Sequence, residues 1–272
     1  MSKICFIVGH GKSKSGGYDP GATSGTAQEF KIAKEIAKYA QQYYNATYQE
    51  QADLINYDGS LYLTDRINKV NASGYDFVAE IHLNAGGGTG TECYYSSGNN
   101  KGNQYATAIT DNIASVFGIK NRGAKVKLNS SGKDYFAIIR ETDPTGVLIE
   151  TVFIDTASDL DKVNTAVGQK RCGEAIAKAV AAARGAETKP EALSSPSHTK
   201  QEIPAKNFRV KITCDKLNIR ADAGTDNKIV GTVSKSEVFT IVETKKVGSV
   251  EWGRLKSGAG WISLKAPYSK RI

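Results

Sequence analysis

The sequence predicts an α/β fold, a twisted central sheet flanked by helices, followed by a small all-β barrel. Three observations carry this expectation. Up to residue 184, apolar strand-like runs alternate with segments of helical period. Residues 185–205, GAETKPEALSSPSHTKQEIPA, hold three of the six prolines and show no apolar periodicity, which reads as an extended Pro/Ser-rich linker. From 206 to 272 only short β-rich runs separated by turn residues remain.

Each element follows from its residues. KICFIVG at the N-terminus is a short apolar run with the length of a buried strand. From Phe30 the apolar positions Ala33, Ile36, Ala37, Ala40 and Tyr44 recur at helical spacing. DFVAEIHL is a second strand, and TECYY a third after Gly-rich turns. Tyr105, Ile109, Ile113 and Val116 mark a second helix. YFAII and VLIETVF read as further strands, and Leu160 to Ala183 as one long Ala-rich helix. Beyond the linker, FRVKIT, KLNIR, KIVGTV, VFTIVET, EWGRLK and GWISL supply the strands of the barrel.

Composition narrows the function classes. The chain has 272 residues, of which 40% are hydrophobic and 24% charged, a globular balance. No run approaches the roughly 20 apolar residues of a membrane span. The N-terminal apolar run is too short for a secretory leader. The expectation is therefore a protein without a membrane anchor or a secretion address, made in a cytoplasm. Cys5, Cys93, Cys172 and Cys214 lie far apart with no C-x-x-C pair, which argues for free core thiols. The net charge of +8 is uneven: residues 1–184 carry 20 basic and 19 acidic side chains, and residues 206–272 carry 14 and 6. A compact basic module seeks an anionic partner.

Of three histidines, His198 falls in the linker, whereas His10 and His82 each follow an apolar strand. Ligand crevices of open α/β sheets lie beyond the carboxyl ends of the strands. Two imidazoles there could meet and share a metal, with carboxylates supplying a further ligand and a general base. Glu29 opens the first helix, where Thr26-x-x-Glu29 also fits a capping box. Glu150 sits inside VLIETVF, where burial would raise its pKa toward a useful range. Glu80 shares strand parity with His82, either to hold that imidazole or simply to face solvent. Arg140 is placed to contact a substrate carboxylate or to form a surface ion pair.

GHG at 9–11, GGYDPGA at 16–22 with Glu29 after it, IHLNAG at 81–86 and VLIET at 147–151 occur in that order. On these motifs, residues 1–184 resemble the zinc-dependent N-acetylmuramoyl-L-alanine amidases of the Amidase_3 family. The resemblance implies zinc held by His10, Glu29 and His82, with Glu150 as general base. It implies cleavage of the amide between N-acetylmuramic acid and L-alanine in peptidoglycan. Two departures stand out. Ile7-Val8 replaces the usual Asp-Pro before GHG, and Glu80 stands where the family usually has Ser.

LNIRADAG at 217–224, IVGTV at 229–233, EWGRL at 251–255 and GWIS at 260–263 resemble bacterial SH3 (SH3b) domains. That resemblance implies wall recognition by residues 206–272. Arg220, Lys245, Lys246 and Arg254 would form a cationic face, with Trp252 and Trp261 as core or groove aromatics. The expected partners are peptidoglycan and anionic wall polymers, not nucleic acid, since no stacked-aromatic signature is present. The combination resembles phage endolysins of Gram-positive, clostridial hosts, with a host autolysin as the biological alternative. A zinc endopeptidase acting on wall peptides and a non-catalytic wall binder are the competing readings.

Overall fold

A computed structural model describes residues 4–189 and 207–272, so most of the expected linker and His198 lie outside the described residues. The described residues fall into two compact units, one within Met1–Ser195 and one within Pro196–Ile272.

The first unit begins with β1 (Ile4–Val8), all five residues buried. Two tight ribbons follow, β2 (Gly11–Lys12) with β3 (Tyr18–Asp19) and β4 (Thr23–Ser24) with β5 (Ala27–Gln28). Next come α1 (Glu29–Thr47), β6 (Ala52–Ile55), α2 (Leu63–Asn71), β7 (Phe77–Asn84) and β8 (Thr91–Tyr95). The unit closes with α3 (Asn100–Phe117), β9 (Asn121–Lys125), α4 (Ala137–Arg140), β10 (Thr145–Phe153), α5 (Ala157–Val163) and α6 (Ala166–Arg184). Six strands form one sheet in the order β6-β1-β7-β10-β8-β9. The pairs around β1 and β7 are parallel, and only β8 against β10 is antiparallel.

Because successive strand residues face opposite sides, each strand feeds two cores. Ile4, Phe6, Phe77, Ala79, Ile81, Val147 and Ile149 pack with α1, α3 and α6 on one face. Cys5, Ile7, Val78 and Leu148 pack with α2 and α4 on the other. The second face turns polar toward the carboxyl ends of the strands, where Glu80, His82 and Glu150 continue its parity. The α/β prediction holds, with helices on both faces.

Four local expectations change. YFAII is not a strand: Ala137–Arg140 is a short helix whose Ile138 and Ile139 plug the second core. A short apolar run has no period that separates a strand from a buried helical turn. The long C-terminal helix is two, α5 and α6, because the Thr165 side chain accepts from Gly168 N and starts a new helix. Thr26 is no cap: α1 starts at Glu29 after Gln28, with no side-chain cap bond. Its first amides, Glu29 N and Phe30 N, are taken by the carbonyls of Ala22 and Pro20 instead. Finally, residues 185–189, assigned to the linker, run back along the end of α1. Gln49 N donates to Glu187 O, and Lys189 N to Thr47 O.

The second unit is a seven-stranded antiparallel sheet in the order β13-β12-β16-β15-β14-β11-β17. Its strands are β11 (Phe208–Ile212), β12 (Lys216–Arg220), β13 (Ile229–Ser234), β14 (Val238–Val247), β15 (Val250–Leu255), β16 (Trp261–Ser263) and β17 (Ser269–Arg271). Alternate residues Val210, Ile212, Leu217, Ile219, Ile241 and Leu255 make its core. Among the described residues no helix is long and apolar enough to cross a membrane. All four cysteines are free, three of them buried.

Candidate active site

The site forms where β1, β7 and β10 end together. In parallel register Leu148 lies beside Glu80 and Glu150 beside His82. Period-2 geometry therefore puts His82 and Glu150 side by side on the same face. His10 reaches them from the loop after β1 in a left-handed conformation, φ 63°, rare for a residue with a Cβ. The loop is held by Asn56, whose Nδ2 donates to Val8 O and His10 O, both at 2.8 Å. Arg66 Nη1 donates to the same His10 carbonyl at 3.0 Å.

His10, Glu29 and His82 converge. One ligand atom of each lies within 4.8 Å of the others. Glu29 Oε1 is 3.2 Å from His10 Nε2 and 2.8 Å from His82 Nδ1. The opposite nitrogens are held by other carboxylates: His10 Nδ1 by Asp19 at 2.9 Å and His82 Nε2 by Glu80 at 3.2 Å. Glu80 is in turn paired with buried Arg66, Nε to Oε1 at 3.0 Å. Two glycines permit the approach. A Cβ on Gly9 would lie 2.2 Å from His82 Cε1, and one on Gly21 2.5 Å from Glu29 Oε2.

The electrostatics follow from this crowding. Burial would push the Glu29 carboxyl up, but hydrogen bonds from both imidazoles outweigh it and hold it well below the usual range. Burial disfavours charge on His82, yet Glu29 and Glu80 raise it well above its ordinary value. Glu150 is different. Its Oε2 is enclosed and has no hydrogen-bond partner among the described residues. Desolvation pushes its pKa up to about 7, against the pull of His82. A carboxyl so tuned can take and return a proton near neutral pH.

Two imidazoles and one carboxylate whose donor atoms converge suit a borderline divalent metal such as zinc, and carboxylates behind the imidazoles are the usual support of such ligands. The donor set therefore fits the metal that the sequence motifs imply. Beside it opens a cavity of about 460 Å³, lined by the cluster, Lys12, Glu150 and an apolar wall including Leu63, Phe136 and Leu148.

The structure brings together four of the sequence-nominated residues, His10, Glu29, His82 and Glu150, and puts Glu80 behind His82. Of the two readings of Arg140, the structure shows the surface ion pair, with Glu141, and corrects the substrate contact: Arg140 is absent from the cavity lining, and its guanidinium also donates to Asp134 O and Tyr135 O. Asp19, Asn56 and Arg66 went unnoticed in the sequence. The Asp of the quoted GGYDPGA loop was a visible signal; Arg66 had none, since its role depends on α2 docking over β7. Glu92 was also missed. It is buried opposite Glu150 on β8 and bonded to Asn84, Tyr94, Arg122 and Lys125.

In the second unit the expected cationic face is largely spent. Arg220 Nη1 donates to the carbonyls of Thr225 and Asn227, closing a turn. Lys245 pairs with Asp222 and Arg254 with Glu243. Trp252 and Trp261 are 4% and 7% exposed and pack on Ala223, so both are core. Only Lys246 of this group stands exposed without such a partner among the described residues.

An α/β sheet with a converging donor cluster and an enclosed carboxyl at its strand ends is an arrangement suited to metal-assisted hydrolysis. Residues 4–182 match the Amidase_3 family, N-acetylmuramoyl-L-alanine amidase, and the chain belongs to that family. It is 31% identical over 233 residues to the sporulation-specific N-acetylmuramoyl-L-alanine amidase of Bacillus subtilis (strain 168), covering 85% of this chain and 84% of that protein. Among solved structures, Cwp6 from Clostridium difficile matches with a TM-score of 0.62 at 31% identity, over 67% of this chain but only 29% of Cwp6. The catalytic domain of the CD27L endolysin, which targets Clostridia Difficile, matches with a TM-score of 0.53 at 33% identity, over 66% of this chain and 97% of that domain.

Proposed function

We propose that this chain is a zinc-dependent peptidoglycan amidase that cuts between the lactyl group of N-acetylmuramic acid and L-alanine. The observation that carries the reading is the convergence of His10, Glu29 and His82 within 4.8 Å beside the cavity that Glu150 lines. His10, Glu29 and His82 would hold the metal, with Asp19 and Glu80 fixing the two rings and Arg66 fixing Glu80. When bound, zinc supplies Lewis-acid polarisation of the scissile carbonyl and acidification of a water. Glu150 takes a proton as the carbonyl is attacked and returns it to the leaving amine of L-alanine. Its elevated pKa suits both transfers. The apolar wall of Leu63, Phe136 and Leu148 offers a surface for the uncharged part of the substrate beside Glu150.

The second unit is read as an SH3-like targeting module. Joining it to the hydrolase raises the local concentration of enzyme on an insoluble substrate. The likeness to the catalytic domain of an endolysin supports an endolysin acting on a clostridial wall as the biological setting, and the likeness to the sporulation-specific amidase of Bacillus subtilis supports a host enzyme as the alternative. The test is digestion of purified Gram-positive walls with and without a chelator. Free L-alanine amino termini without new reducing sugars, abolished by chelation, are expected. New amino termini on other residues would instead establish an endopeptidase.

A further inference from the structure

The second unit carries nearly all of the chain's excess charge, yet three of the four cations singled out by sequence, Arg220, Lys245 and Arg254, are paired or consumed in a turn. Four others gather on one face. On β11, Val210 and Ile212 point inward, so Arg209 and Lys211 point out. Antiparallel pairing puts Lys270 of β17 directly opposite Lys211, and Val238 of β14 on its other side. The next row places Thr240 beside Arg209, and Lys256 N donates to Thr240 O at 2.9 Å. Two adjacent rows, Lys270–Lys211–Val238 and Arg209–Thr240–Lys256, thus present four exposed cations and no acid. None of the four forms an ion pair among the described residues. Asp215, the nearest carboxylate in sequence to Lys211, is paired with Lys235, and Glu237 beside Val238 accepts from the Ser234 amide.

Like charges directly opposite across a sheet are destabilising. A fold that accepts Lys211 against Lys270 while pairing Lys245 and Arg254 elsewhere has concentrated charge on one face. We propose that this face, Arg209, Lys211, Lys256 and Lys270, docks a phosphodiester-bearing polyanion of the cell wall. Along a strand, same-face residues repeat at about 7 Å, and across strands at about 5 Å. Such a grid offers several simultaneous contacts to a polymer with a charge on every repeat, as a lone anion would not need. No aromatic side chain stands in the two rows, so stacking on nucleic-acid bases has no platform there. The choice of a wall polymer rests on the proposed peptidoglycan activity of the first unit.

The test uses the full chain carrying Glu150→Gln, so that binding is read without digestion. Failure of the amidase reading would appear separately, in cleavage by the unsubstituted chain. Binding is measured by co-sedimentation with Gram-positive sacculi, before and after acid stripping of their phosphate polymers, across a salt series. Stripping is expected to weaken binding on the order of tenfold or more, and salt to weaken it along a straight log–log line. Arg209→Ser with Lys211→Ser and Lys270→Ser should lose comparable affinity and flatten that slope by roughly 2 to 3, at about 0.7–0.9 per contact. Lys216→Ser with Lys228→Ser and Lys235→Ser removes the same charge and should bind as before. Equal loss in both triple variants, or undiminished binding to stripped sacculi, would overturn the proposal. So would tighter binding to duplex DNA or to anionic vesicles than to the isolated polymer.

Discussion

Gly9→Ala isolates the geometry of the metal cluster from its chemistry, because it adds one methyl group and changes no donor. Gly9 is not in the left-handed region, so alanine brings no backbone strain there. Its Cβ would lie 2.2 Å from His82 Cε1 and 2.3 Å from Nε2. Ordinary carbon contacts begin near 3.5 Å, so the ring must retreat by about 1.3 Å. It cannot retreat freely, since Glu29 grips Nδ1 and Glu80 grips Nε2. Nor can β1 move off, since Gly9 N is bonded to Ile81 O. A displacement of about 1 Å at a reacting centre costs on the order of a hundredfold in rate, roughly 2.7 kcal/mol. Overpacking adds a stability loss of about 1–3 kcal/mol. The assay is zinc affinity by competition with a chromophoric chelator, alongside kcat/KM on a soluble muramoyl-peptide and a thermal melt. A variant that stays folded with unchanged zinc affinity and unchanged kcat/KM would refute the placement of His82 in the cluster.

Glu150→Gln is expected to lower kcat by about 10²–10⁴, with zinc affinity retained, since it removes only proton transfer; loss of zinc together with activity would show it to be a ligand instead. Glu80→Gln keeps the shape beside His82 but weakens the acceptor, and zinc affinity is expected to fall about 10–100-fold in chelator competition. Retained affinity would reduce Glu80 to a partner for Arg66 alone. Glu92 has its pKa held down at about 2: burial pushes up, and Lys125, Arg122 and Tyr94 outweigh it. A depressed carboxyl stabilises the fold above its unfolded value near 4.3 and loses that contribution as pH falls through about 2. Acid denaturation curves should therefore shift when Glu92→Gln is introduced, with the variant showing less pH dependence between about 4.3 and 2; superimposable curves would count against the cluster's role.

The choice of elements was legible where one periodicity dominated. The five-residue run at β1, the parity of Glu80 and His82 on β7, and the helical spacing from Phe30 all translate directly into the fold. Where the run was short or uniformly apolar, as in YFAII, strand and helical turn have the same pattern, and packing beneath α2 decided for the helix. The capping reading of Glu29 failed for a similar reason. A local motif competed with a tertiary one, and the carbonyls of Pro20 and Ala22 satisfied the helix amides and freed the carboxylate for the two imidazoles.

The amino-acid sequence by itself determined the two-unit layout and the alternation that makes a layered α/β sheet, properties of local pattern that period and spacing encode. The four clustered residues were named by the resemblance of their ordered motifs to a known family, which spacing alone did not supply. The tertiary structure alone decided which groups stand behind them: Asp19 on His10, Glu80 and Arg66 on His82, and the enclosure of the Glu150 carboxyl. It also decided that Lys245 and Arg254 are paired while Arg209, Lys211 and Lys270 stand without ion pairs on the outer face of β11 and β17. Charge can be counted along a chain, but whether a cation is paired depends on cross-strand register, which exists only once the sheet has closed on its neighbours.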